Sequence, residues 1–157
     1  MAESGCLRDV AVQNLEVVGK ADLSGVSLTY KVPVVDITTA TYTVGAEQSG
    51  TIFTLNKDDG ITVTLPVPAA GLKFEFVVAT APTTSVTIVT NASANIIHGQ
   101  ITTSEDAAGC VACAASSDTI TLVANLAIVG DRVNVVSDGT SYFVGGCVDV
   151  QDAATTT

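Results

Sequence analysis

The residues best suited to chemistry in this chain are one histidine, a Cys-x-x-Cys and three short acidic runs. His98 lies in Asn95-Ile96-Ile97-His98-Gly99, which reads as a strand entering a turn. With no second histidine, the chain cannot form a two-histidine zinc site, and a serine-histidine-acid triad has a single base to draw on. His98 is therefore expected to be a partly buried or interface residue. Cys110-Val111-Ala112-Cys113 has the spacing of a redox pair or half a zinc site. A thioredoxin-like motif opens a helix in a βαβ unit, whereas this one sits in an Ala/Gly/Ser stretch between strand patterns. A four-thiol site would need Cys6 and Cys147, both distant in sequence. Packed thiols are expected, with a metal or a local or intersubunit disulfide as the alternatives.

Lys57-Asp58-Asp59-Gly60 and Ser137-Asp138-Gly139 lack the alternating oxygen ligands and distal glutamate of a calcium loop, and read as turns with solvated acids. Glu105-Asp106 could supply two carboxylates, but a glycosidase holds its pair across a cleft, and neighbours on a loop diverge. The chain has no P-loop, dinucleotide fingerprint or nucleophile elbow. These residues predict no catalytic, cofactor-binding or metal-binding site, and hence no enzyme.

The elements that must carry these residues are set by composition. The chain has 157 residues, which suits one domain with a core of its own. Charged residues make up 14% against about 25% in typical domains, and tryptophan is absent. Weak charge and abundant β-branched residues point to surface hidden in partner contacts. The net charge of −10 opposes nucleic acid and anionic membranes, and the six basic residues form no patch. No apolar run reaches the roughly 18 residues that span a bilayer. The N-terminus, Met1-Ala2-Glu3-Ser4, lacks a basic region before an apolar one, so a reducing cytosol and free thiols are expected.

Strand patterns dominate. Ile61, Val63 and Leu65 alternate with threonines, and Phe74, Phe76 and Val78 alternate with Lys73, Glu75 and Val77. Pro66, Pro68 and Gly71 join these two runs. Similar alternation marks residues 42–44, 52–55, 86–89, 119–123 and 132–135, and Asp138-Gly139 signals a hairpin. Residues 107–117 read as a loop with at most one helical turn. Short strands at regular intervals predict an all-β fold, an antiparallel β-sandwich or barrel-like domain over residues 41–148. No internal repeat is strong enough to indicate a solenoid. Residues 1–40 carry too little apolar bulk for a core and read as an extended N-terminal arm that needs a neighbour's surface. Leu15, Val17, Val18, Leu23, Val26 and Leu28 are its candidate partner-binding residues. Residues 149–157 read as a flexible polar tail.

The phrases Ala46-Glu47-Gln48-Ser49-Gly50-Thr51-Ile52-Phe53-Thr54-Leu55-Asn56, Gly60-Ile61-Thr62-Val63-Thr64-Leu65-Pro66 and Pro68-Ala69-Ala70-Gly71-Leu72-Lys73-Phe74 carry a resemblance. Thr80-Ala81-Pro82, Ala94-Asn95-Ile96-Ile97-His98-Gly99 and Ser137-Asp138-Gly139-Thr140-Ser141-Tyr142 extend it. Over residues 41–144 the chain resembles the β-rich capsid decoration (cement) proteins of tailed bacteriophages. The resemblance implies a virion surface protein, often a homotrimer, seated between major capsid protein subunits, with no catalytic residues to carry over. The alternative is a fibre or tail β module binding a receptor or glycan. Such sites usually present Trp or Tyr platforms to sugar rings, and this chain offers only Tyr30, Tyr42 and Tyr142.

Overall fold

The computed structural model describes residues 31–104 and 112–157; side chains at 112–114 are left aside. Residues 31–157 form one compact unit. The unit is all-β, as its composition demands. Its strands are β1 Val34–Ile37, β2 Thr41–Thr43, β3 Ile52–Leu55, β4 Thr62–Thr64, β5 Ala70–Val78 and β6 Val86–Val89. There follow β7 Ile97–Thr103, β8 Ala112–Ser117, β9 Thr119–Leu122, β10 Arg132–Asp138, β11 Tyr142–Val148 and β12 Ala154–Thr156. Among the described residues these build a seven-stranded sheet, β1-β3-β5-β10-β11-β7-β8, and a five-stranded sheet, β12-β9-β6-β4-β2.

The first six strands alternate between the sheets. β1, β3 and β5 are parallel neighbours in one, and β2, β4 and β6 are parallel neighbours in the other. The chain thus winds as a coil of three turns, with each strand of one sheet serving as the crossover between two strands of the other. Val35, Phe53 and Phe76 stack in register on one side, and Tyr42, Val63 and Ile88 on the other. Antiparallel pairing was expected throughout, but this half of the molecule is parallel, and so is β11 with β7. Alternation reports that one face is dry; it carries no information on strand direction. Parallel pairs usually need a helical crossover, and here a strand in the opposite sheet takes its place. The turns differ in length, so the coil leaves no fixed period in the sequence.

Each strand turns its apolar residues inward. Phe53 is the hub: its ring stacks on Phe76 at 5.2 Å and 22° and meets Phe74 edge-on at 6.2 Å. Ile61, Val63 and Leu65 reach the same buried cluster as Phe74, Phe76 and Val78. Yet β4 and β5 belong to different sheets, so Pro66 and Pro68 carry the chain across the core rather than around a hairpin. The expected hairpin lies between β10 and β11, where Ser137 pairs with Tyr142 and Gly139 takes φ +106°. Gly99 has a different task. At φ +132°, a Cβ there would stand 2.0 Å from the Val144 carbonyl oxygen, so only glycine lets β7 lie against β11.

Three boundaries move. The domain begins before residue 41: Val34–Ile37 is a strand, with Ile37 buried and Val35 packed on the core. Residues 112–117, within the stretch read as a loop, form β8 against β7. The tail read as flexible supplies β12, which pairs with β9 and buries Ala153 and Ala154. At β12 two alanines suffice, because a sheet edge needs little bulk.

Candidate functional site: the threonine face

The outer face of the five-stranded sheet is built by a repeated local rule. Where Tyr42, Val63, Ile88 and Ile120 point into the core, the residues flanking them must point out. Register then places these outward residues in two rows across all five strands. One row is Thr41, Thr62, Thr87, Thr121 and Thr155. The other is Thr43, Thr64, Val89 and Thr119, closed by Thr157, whose backbone exchanges two 3.0 Å hydrogen bonds with Thr119. Every position is threonine except Val89, and none is charged. The Thr87 hydroxyl donates to that of Thr62 at 3.3 Å, and the Thr119 hydroxyl donates to Asp118 at 2.6 Å. The result is a lattice of methyls and hydroxyls roughly 24 Å across the strands and 10 Å along them.

The outer face of the seven-stranded sheet is mixed. It carries Asp36, Lys73, Glu75, Arg132 and His98 together with exposed Val136 and Phe143. His98 points outward from β7, and its Nδ1 bonds the Ala115 carbonyl at 2.5 Å. That carbonyl can only accept, so Nδ1 holds the proton and Nε2 is left as an acceptor in the neutral ring. The ring lies 6.0 Å from that of Phe143.

The acidic runs are turns. Asp138 Oδ1 accepts the Thr140 and Ser141 amides, each at 2.8 Å, and the Thr140 hydroxyl at 2.9 Å. Those backbone donors, Ser141 first, hold its carboxyl below the usual range. In the other run Lys57 pairs with Asp59, and the Asp58 carbonyl accepts the Thr83 and Thr84 amides. Among the described residues, no three His, Cys, Asp or Glu side chains gather as a metal site would require.

A shallow hollow of about 400 Å³ is lined by Ser104, Ile128, Val129, Asp131, Arg132 and Cys147. Its buried carboxylate is already engaged: Asp131 accepts the Ile128 amide on one oxygen and the Asp149 amide on the other, both at 3.0 Å. Asp131 thus ties the start of β10 to the end of β11 rather than facing a substrate. The Cys147 thiol is free and exposed.

Leu15, Val17, Val18, Leu23, Val26 and Leu28 lie outside the described residues, as do Cys6, Cys110, Glu105 and Asp106. Cys113 falls on β8, so the Cys-x-x-Cys runs into a strand instead of sitting in a loop. The threonine rows were missed in the sequence although their signal was present. Thr41-Tyr42-Thr43, Thr62-Val63-Thr64 and Thr119-Ile120-Thr121 repeat one triplet, but only the pairing of strands shows that the triplets align. Comparisons with protein-family models, with curated proteins and with solved structures found no match.

Proposed function

We propose that this chain is a structural virion protein, a capsid decoration or cement protein of a tailed bacteriophage. It would seat on the outside of the head and bridge neighbouring major capsid protein subunits, self-associating as a homotrimer. The reading draws on the sequence resemblance, and one structural observation supports it most: the threonine face. A chain of net charge −10 repels its own copies and any acidic partner. A broad sheet surface without a charged position removes that repulsion where contact is made. Its methyls pack and its hydroxyls donate or accept without a fixed sign, which suits one copy of a repeated surface as well as the next.

The face covers on the order of a few hundred Å², less than the roughly 800 Å² per partner of a standard interface. A single contact of this size is weak. On a closed shell, many symmetry-related copies and any linkage within an oligomer make weak contacts cumulative. The shell would then be held by shared bridging rather than by chemistry, with no site residue required to react.

The test is co-sedimentation of the full chain with expanded capsids, together with its copy number in purified particles. Thr62→Lys with Thr121→Lys plants two like charges on the central lattice without touching the core. The expected result is a loss of capsid binding of at least about ten-fold, equivalent to 1.4 kcal/mol, with unfolding midpoint unchanged. Copy number should approach that of the major capsid protein. Undiminished binding by the double variant, or only a few copies per particle, would overturn the reading; low copy number would favour a fibre or tail part. A chain starting at Lys31 keeps β1 whole and isolates the contribution of residues 1–30.

A further inference from the structure

On the outer face of the seven-stranded sheet, the structure assigns a second, independent surface: a seat for one pyranose ring of a neutral glycan, centred on Gly145. This inference does not rest on the capsid reading. Two adjacent rows define it. In one, Asn134, Gly145 and Gln100 lie side by side on β10, β11 and β7. In the next, two residues along each strand, lie Val136, Phe143 and His98.

Gly145 makes the seat. A Cβ built on it would meet nothing within 4 Å, so the missing side chain leaves open space on the face. The strands either side hold Asn134 and Gln100 roughly 10 Å apart across that space, and Phe143 lies roughly 7 Å along β11. A six-membered ring fits within that frame.

The chemistry of the border matches a sugar. Phe143 is 48% exposed, and Val136 beside it 43%, although the chain buries its three other phenylalanines completely. An aromatic face kept at the surface can cover the C–H face of a pyranose. The His98 ring lies 6.0 Å from that of Phe143 and is itself tied to the Ala115 carbonyl. Asn134 and Gln100 have no side-chain hydrogen bond to another described residue. Each amide offers a donor and an acceptor together, the pair that vicinal hydroxyls require. His98 Nε2 adds one more polar group at the Phe143 end. The six frame positions carry no acid or lysine, although Glu75 and Lys73 of β5 stand next to Asn134 and Val136. An exposed aromatic patch of this kind can also anchor a protein, but two amides without a side-chain hydrogen bond among the described residues, beside the open space at Gly145, favour a ligand rich in hydroxyls.

The experiment is saturation-transfer NMR on the full chain with free glucose, galactose, mannose and N-acetylglucosamine, followed by a glycan array. At least one hexose should bind weakly, with transfer strongest at its C–H face. Gly145→Val fills the seat on a strand position of ordinary φ, and Phe143→Ala removes the platform. Each should weaken binding at least about ten-fold, while the Thr62→Lys and Thr121→Lys double variant leaves it intact. Circular dichroism confirms the fold of each variant. No transfer from any hexose and no array signal would overturn the proposal, and so would binding that survives both substitutions. Phe143→Ala impairing capsid binding without any glycan signal would overturn it in favour of a protein contact.

Discussion

Tyr142 shows how one polar atom can be held inside an apolar body. The side chain is fully buried, and its hydroxyl donates to the Pro66 carbonyl at 2.8 Å, linking the start of β11 to the segment that crosses between the sheets. Burial pushes its hydroxyl from an ordinary 10.0 up to about 12. The folded value exceeds the unfolded one, so the phenol's stabilisation is complete below about pH 10 and is lost as pH rises toward about 12. Tyr142→Phe should cost about 1–2 kcal/mol at neutral pH, because the Pro66 carbonyl loses its donor. It should also flatten the decline in stability above pH 10, as urea unfolding between pH 8 and 11 would show. The bond was invisible in the sequence, because its partner lies 76 positions away. His98 was expected to be partly buried or at an interface, and it is half-buried, whereas Phe143 drew no notice, since an outward phenylalanine on an alternating strand looks like any other outward position.

Strand faces were far more legible than strand partners. Period-two alternation gave the inward residues of β4, β5, β6, β9 and β10, because a half-wet sheet leaves that trace whatever its neighbours do. The same trace is identical for parallel and antiparallel pairs and silent on which sheet a strand joins. Hence Ile61 to Leu65 and Phe74 to Val78 were legible as two one-faced runs while their separation into two sheets went unseen. β12 failed for another reason. Ala-Ala-Thr-Thr-Thr has little hydrophobic bulk, yet Ala153 and Ala154 are wholly buried, and the Val123 amide donates to the Ala153 carbonyl at 2.8 Å. Ending the chain at Asp152 should therefore destabilise it by at least about 2 kcal/mol, since it strips β9 of a ladder and uncovers the core. Unchanged thermal unfolding of the shortened chain would show that β12 contributes nothing.

At the scale of the whole molecule, the path of the chain matters more than the number of strands. β1 and β2 are the outer edges of the two sheets at one end, and β12 and β8 at the other. A tensile load applied at Lys31 meets β1 first, a short strand that, among the described residues, is bound along one side. Lifting it exposes β2 on the opposite sheet, then β3, then β4, so the coil pays out one strand at a time. The antiparallel pairing of β5, β10 and β11 stands behind it and is reached last. Optical-trap extension from residue 31 should thus show a series of small, low-force steps followed by one larger rupture, whereas a single all-or-none break would refute it. A body that yields turn by turn lengthens before it lets go, and on the capsid proposed above as its seat that compliance would spread a local stretch over many neighbours.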